Sequence, residues 1–141
     1  MAKIEFIVLG VPKAQARHRH TSAGKFVRTY DPTATEKQDF AVVVQQYAPP
    51  TPFTGPISVS WTAYFPRPKS HYRTGKYAGQ LKDNAPVWHI TRPDRDNVDK
   101  FILDALSGIF WKNDSQVCDG PLSKRYSVRP QLVIRIETLA D

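Results

Sequence analysis

The sequence predicts an α+β fold, a single domain over residues 1–141 in which a mixed β-sheet packs with at least two α-helices. Three observations predict it. Residues 57–65, ISVSWTAYF, alternate apolar and polar side chains with the period of a strand that buries one face. From Asn97 the period becomes helical, with Val98, Phe101, Ile102, Ala105 and Leu106 on one face. The chain of 141 residues, 40% apolar and 11% aromatic, is long enough to bury one core without disulfides or a structural metal.

Taken in order, residues 2–9 read as a strand with Ile4, Phe6 and Val8 on one face. GVPKAQARHRH follows as an extended basic segment, SAGK as a turn, and residues 26–30 as a short returning strand. Thr33 and Glu36 have the spacing of a capping box, in which each side chain satisfies a free amide at a helix start. A helix to about Tyr47 places Phe40, Val43, Val44 and Tyr47 along one stripe, and APPTP ends it, because proline cannot continue a helix. After the strand at 57–65 come about twenty residues with little periodicity, then a plausible strand at 87–91. The helix from Asn97 stops near Gly108, a short strand is expected near 115–118, and residues 126–137 form one or two strands with Leu132, Ile134 and Ile136 alternating. No repeat and no linker divides the chain.

Charge narrows the function. Twenty Lys and Arg stand against 13 Asp and Glu, a net charge of +7. The excess is gathered into clusters without acids: Lys13, Arg17, Arg19, Lys25 and Arg28; then Arg67, Lys69, Arg73, Lys76 and Lys82; then Lys124, Arg125 and Arg129. Such a surface suits a polyanion, most simply nucleic acid. No apolar run approaches the roughly 20 residues that span a bilayer, so no membrane partner is expected. The N-terminus lacks the long apolar stretch of a secretory leader. The single cysteine, Cys118, can form neither an internal disulfide nor a cysteine-based zinc site. A reducing, cytoplasmic setting fits.

Within this basic chain the stretch RPDRDNVDKFILDALSGIFWKND, residues 92–114, concentrates Asp94, Asp96, Asp99, Asp104 and Asp114 around Lys100. Asp94 and Asp96 are two apart, which in an extended segment points both to one face. Lys100 follows Asp96 by one helical turn. Asp114 returns to the same neighbourhood if the strand after it pairs beside the helix start. Carboxylates about 4 Å apart repel by roughly 4 kcal/mol at an effective dielectric near 20, and one lysine does not balance three of them. Oxygen donors without cysteine favour a hard cation such as Mg²⁺. The competing structural reading makes Asp96 a helix cap, Asp96–Lys100 an exposed ion pair and Asp114 a turn residue.

The composite RPDRDNVDKFILDALSGIFWKNDSQV resembles the signature of the RusA family of Holliday-junction resolvases, with weaker likeness in VPKAQARHR and PRPKSHY. The resemblance implies a RusA-like homodimer of mixed α/β subunits, in a bacterial or phage-infected cell, that uses Mg²⁺ (Mn²⁺ substituting) to nick four-way, branched DNA at two symmetric positions, with no small-molecule cofactor. It marks Asp94, Asp96 and Asp114 as metal-binding catalytic acids and Lys100 as the catalytic lysine. Asn113 departs from the pattern, standing where an Asp-Asp pair has its first acid.

Lys13, Arg17, Arg19, Lys69, Arg73, Lys76 and Lys124 are the candidate DNA contacts, with Tyr72 and Tyr77 as candidates to stack on bases. Other residues have plainer expectations: Asp99 exposed, Asp104 orienting Lys100 or lying on the helix surface, the four histidines on the surface, and Trp61, Trp88, Trp111 and Cys118 in the core. Three rivals stand beside the resolvase: a non-catalytic nucleic-acid-binding protein, a nuclease for flaps, single strands or RNA, and a small-molecule phosphohydrolase, which would make poor use of the basic clusters.

Overall fold

A computed structural model describes residues 2–16, 19–23 and 26–140. Their elements are β1 (Lys3–Leu9), β2 (Arg19–Ala23), β3 (Phe26–Tyr30), α1 (Ala34–Val44), β4 (Ile57–Pro66), α2 (Arg95–Leu106), β5 (Val117–Asp119), β6 (Leu122–Ser127) and β7 (Gln131–Thr138). The α+β expectation holds, with one mixed five-stranded sheet and two α-helices. The order β1-β7-β4 is antiparallel, and β5 and β6 follow one another along the far edge of β4, both parallel to it. β2 and β3 form a separate hairpin, whose turn at Gly24–Lys25 lies outside the described residues, as do Arg17 and His18.

Alternation explains the sheet. Ile57, Val59, Trp61, Ala63 and Phe65 on β4 and Leu132, Ile134 and Ile136 on β7 are all buried, and Phe6 of β1 joins them. Pro130 falls in the turn between β6 and β7, which leaves β7 free to pair on both sides as a central strand. A parallel pair cannot be closed by a hairpin and needs a crossover. Here the crossover from β4 runs through the 67–94 loop and then α2. The five residues read as the apolar face of α2 are all buried. α2 starts at Arg95, two residues before the expected Asn97. Phe101 meets Phe40 of α1 edge-on, with centroids 5.6 Å apart.

Gly120, between β5 and β6, shows how close the backbone comes at this edge. Its φ is +137°, and a Cβ there would lie 1.9 Å from the Val59 carbonyl oxygen. Only glycine lets the chain pass from β5 to β6 against β4.

Several local expectations are corrected. Thr33 is the N-cap of α1 but makes no capping bond; its hydroxyl donates to Asp31 Oδ1 instead, so the capping box does not form. Of the α1 stripe only Val44 is buried, while Val43 and Tyr47 are exposed. The loop after β4 is folded rather than structureless, with 3₁₀ turns at Lys69–His71 and Gly75–Tyr77 and a Tyr72–Leu81 bridge. Residues 87–91 run along β6 through the single bridge Trp88–Arg125 rather than as a full strand. Trp61 and Trp111 are in the core as expected, but Trp88 is exposed. Cys118, on an edge strand, is exposed too. His89 is buried against Phe65 rather than on the surface.

Candidate active site

α2 supplies the first part of the site. Asp94 is its N-cap residue, yet its carboxylate makes no capping hydrogen bond. Asp96, which the structural reading makes the cap, lies inside the helix instead. Asp96 lies in the first turn, and Lys100 one turn on. All three are exposed. The apolar face of α2, fixed by Val98, Phe101 and Ile102 in the core, sets the roll that leaves them outward.

Asp94 lines a cleft of about 790 Å³ with Ala14, Gln15, Arg92, Pro93 and Asn97. Its walls are tied together. The Gln15 backbone N–H donates to the Asn97 carbonyl at 2.9 Å, which fastens the segment after β1 to α2. The Lys124 ammonium donates to the carbonyls of Thr91 and Pro93 and so holds the loop that leads into Asp94. Burial keeps that ammonium below the ordinary lysine pKa, while the charge of Asp94 opposes the shift. Lys124, expected from sequence among the phosphate contacts, has its described contacts here in positioning the site.

Behind the cleft is a charged chain. Asp31 accepts from Gln15 Nε2 at 2.9 Å and from Lys37 Nζ at 2.6 Å, and Lys37 also donates to Asp104 at 2.9 Å. Asp104 therefore pairs with Lys37 across the helices, and it does not orient Lys100. Asp99 is not simply exposed either: it is half-buried and accepts from the Trp61 indole N–H at 2.9 Å. Neither contact is visible locally, since the partners lie 67 and 38 residues apart in the chain.

Asp114 arrives separately, from the 3₁₀ turn beyond the far end of α2. Its Oδ1 accepts from the indole of the buried Trp111 at 2.8 Å. Asn113 caps that turn: its Oδ1 accepts from Ser115 N, and Gln116 Oε1 accepts from the Asn113 and Lys112 amides. Gln116 Nε2 donates to the carbonyls of Phe53 and Gly55, each at 3.0 Å, which ties the turn to the entrance of β4. In the described contacts the amide at position 113 is thus part of the turn. Gln116 is the positioning residue that sequence reasoning missed; a polar side chain three residues after Asn113 is the capping-box signal that could have marked it.

The donor set is all carboxylate oxygen, the kind a hard cation takes. Among the described residues, however, no three His, Cys, Asp or Glu side chains lie close enough together to hold one ion. Among these residues Asp94, Asp96 and Asp114 are not gathered into a three-carboxylate cage. What fits these residues is a Mg²⁺ shell of one or two carboxylates completed by water and substrate phosphate. Among the described residues none of the three acids forms a direct ion pair, and Lys100 forms none, although the Lys124 charge is felt at Asp94.

The other expected DNA contacts come from separate segments of the chain. Lys13, Lys69 and Lys76 are exposed. Arg73 is half-buried, pairs with Asp83 at 3.2 Å, and together with Lys76 flanks the exposed ring of Tyr77. Arg19 lies on β2, and Arg17 is outside the described residues.

The family model for "Endodeoxyribonuclease RusA" matches residues 10–137, from the end of β1 to the end of β7. The chain belongs to the RusA endodeoxyribonuclease family. A RusA-type nuclease is therefore the frame for the cleft, whose lining residues 14–97 fall within the matched region. A relative from Bacillus subtilis (strain 168), "Uncharacterized protein YqaN", is 36% identical over 139 residues, covering 97% of each chain. No helix among the described residues is long and apolar enough to cross a membrane.

Proposed function

We propose that this RusA-family protein is a Mg²⁺-dependent endodeoxyribonuclease that resolves four-way DNA junctions by paired, symmetric nicks, acting as a homodimer. The observation that carries the reading is the pair Asp94 and Asp96: two exposed carboxylates with no direct ion pair among the described residues, at the start of α2, on a protein of net charge +7. Acids without a direct ion pair, on a surface that attracts phosphate, make sense as holders of a cation that the DNA brings into use.

When bound, Mg²⁺ would supply Lewis-acid polarisation of the phosphate and a more acidic water. Asp94 and Asp96 would hold it, and Asp114 is the third acid that the family resemblance assigns to it. Lys100 stands one turn from Asp96 and offers positive charge to the phosphate as negative charge builds, a role that depends on position more than on basicity. Lys124 and Gln15 keep the two walls of the cleft in register, and the basic loops bring the backbone to it. Two-fold symmetry gives a dimer two such sites, related as opposed arms of a junction are.

Mapping the products tests this. Purified protein acts on a synthetic four-way junction and on its linear duplex arms, with and without Mg²⁺. The expected result is two symmetric nicks per junction, only with the metal, and intact duplex arms. Cleavage of single strands or flaps in preference to the junction would overturn the substrate and keep the nuclease. The ungathered acids favour a second reading, a non-catalytic binding protein; tight junction binding without any nick in Mg²⁺ or Mn²⁺ would select it.

A further inference from the structure

Beside the cleft lies a feature that the acidic site does not use. Residues 87–89 run extended along β6, with Tyr126 N–H donating to the Val87 carbonyl at 2.9 Å and His89 N–H to the Lys124 carbonyl at 3.2 Å. Extended backbone alternates its side chains. His89 turns inward, 7% exposed, and stacks on Phe65 with centroids 4.0 Å apart. Trp88 and Ile90 turn outward, 54% and 89% exposed. The Arg125 guanidinium sits over the Trp88 ring, 4.4 Å from its centroid.

The other two tryptophans of the chain, Trp61 and Trp111, are 2% and 0% exposed. A third that is held at a fixed place by a backbone bridge and a cation, yet left more than half open, is a surface prepared for a stacking partner. Charge says which kind. No acid occurs from residue 84 to residue 93 or in β6, whereas Arg92, Lys124 and Arg125 do. A second copy of this chain would bring +7 toward a basic patch, so the charge favours an anionic partner. Asp94 follows Trp88 by six positions, which limits their separation to about 20 Å even for a fully extended chain.

We propose that Trp88, backed by Arg125, is a stacking platform for an unpaired or splayed nucleobase of the DNA whose backbone enters the cleft. This rests on the nuclease reading. Base–aromatic stacking needs no particular sequence, because every base offers a π face. Bases at a branch point leave their stack more readily than those inside a duplex. A platform next to the acids therefore favours branched or single-stranded over fully paired DNA, and it sets where on the strand the scissile phosphate falls.

The test uses the whole protein in EDTA, so that binding is read without cleavage. Because Trp88 alone among the three tryptophans is exposed, iodide-accessible emission reports it. Titration with a synthetic four-way junction quenches that emission, and titration with a fully paired duplex quenches it far less. Trp88→Ala weakens junction binding about 5- to 150-fold and changes duplex binding less than twofold, while Trp88→Phe keeps most of the affinity. Should Trp88→Ala fail to fold, Trp88→Leu, apolar but without a π face, must show the same selective loss. Unchanged junction affinity would overturn the platform, and so would an equal loss on junction and duplex. A variant that loses dimer mass in sedimentation without DNA would instead assign the ring to a subunit contact. Wild-type protein that binds no DNA would fail the nuclease reading itself, a result distinct from loss of the platform alone.

Discussion

Asp31 accepts four hydrogen bonds, from Gln15 Nε2, Thr33 N–H, Thr33 Oγ1 and Lys37 Nζ. Burial by itself would raise its pKa, but the Lys37 ammonium, followed by Thr33 and Gln15, outweighs that and holds the carboxyl well below the ordinary carboxylate range. A carboxyl depressed in the folded state stabilises the fold at pH values above its unfolded pKa, and that contribution is lost as pH falls toward the folded value. Lys37 and Asp31 are only 13% and 18% exposed, so the pair is weakly screened by solvent. Asp31→Asn is therefore expected to lose about 1–3 kcal/mol at pH 7, with the gap to wild type narrowing as pH drops below about 4. Denaturant unfolding at pH 7, 5 and 3 measures it, and a gap that stays constant across that range would contradict the assignment. Residue-scale chemistry was only partly legible. Asp94, Asp96, Lys100 and Asp114 stand out because acids crowd one lysine in a basic chain. Asp31, Gln15 and Lys37 give no such signal, since their partnership exists only after α1 and α2 have packed.

At the scale of elements, legibility follows periodicity. β4, β7 and α2 each bury a full face, and each was readable from its repeat of apolar residues. α1 buries only Val44, so its stripe promised more than the helix delivers. Pairing partners were not readable: β4 lies parallel to β5 and β6 because of a crossover some fifty residues long, over residues 67–116, not because of anything in its own pattern. The loop between β4 and α2 shows little periodicity because its bonds, such as Arg73 N–H to the Gln80 carbonyl at 2.7 Å, are between backbone groups and leave no side-chain pattern. Its cations carry a prediction of their own. Replacing Lys69, Arg73 and Lys76 by uncharged residues should weaken DNA binding and make the slope of log affinity against log salt shallower by about 2–3. The slope is read from binding isotherms between low and moderate salt, and an unchanged value would remove the loop from the DNA surface.

Across the whole molecule, the design separates two tasks. The sheet and its buried residues form a rigid base, while the segment after β1, the loop before α2 and the two helices are held around the acidic first turn of α2 by bonds that reach between distant parts of the chain: Gln15 to Asn97, Lys124 to Thr91 and Pro93, and Lys37 to both Asp31 and Asp104. The central claim is that the acids at the start of α2 act in catalysis and do not serve only to shape the helix. Single-turnover cleavage of a four-way junction in Mg²⁺, with wild-type protein and Asp96→Asn compared at saturating concentration, tests it most directly when junction affinity is read from the same samples. The account predicts that the variant binds the junction as wild type does and cuts it at least a hundredfold more slowly, the order of effect expected when a transition-state interaction is lost. Cleavage by Asp96→Asn at the wild-type rate would contradict it and return Asp96 to the surface of the helix.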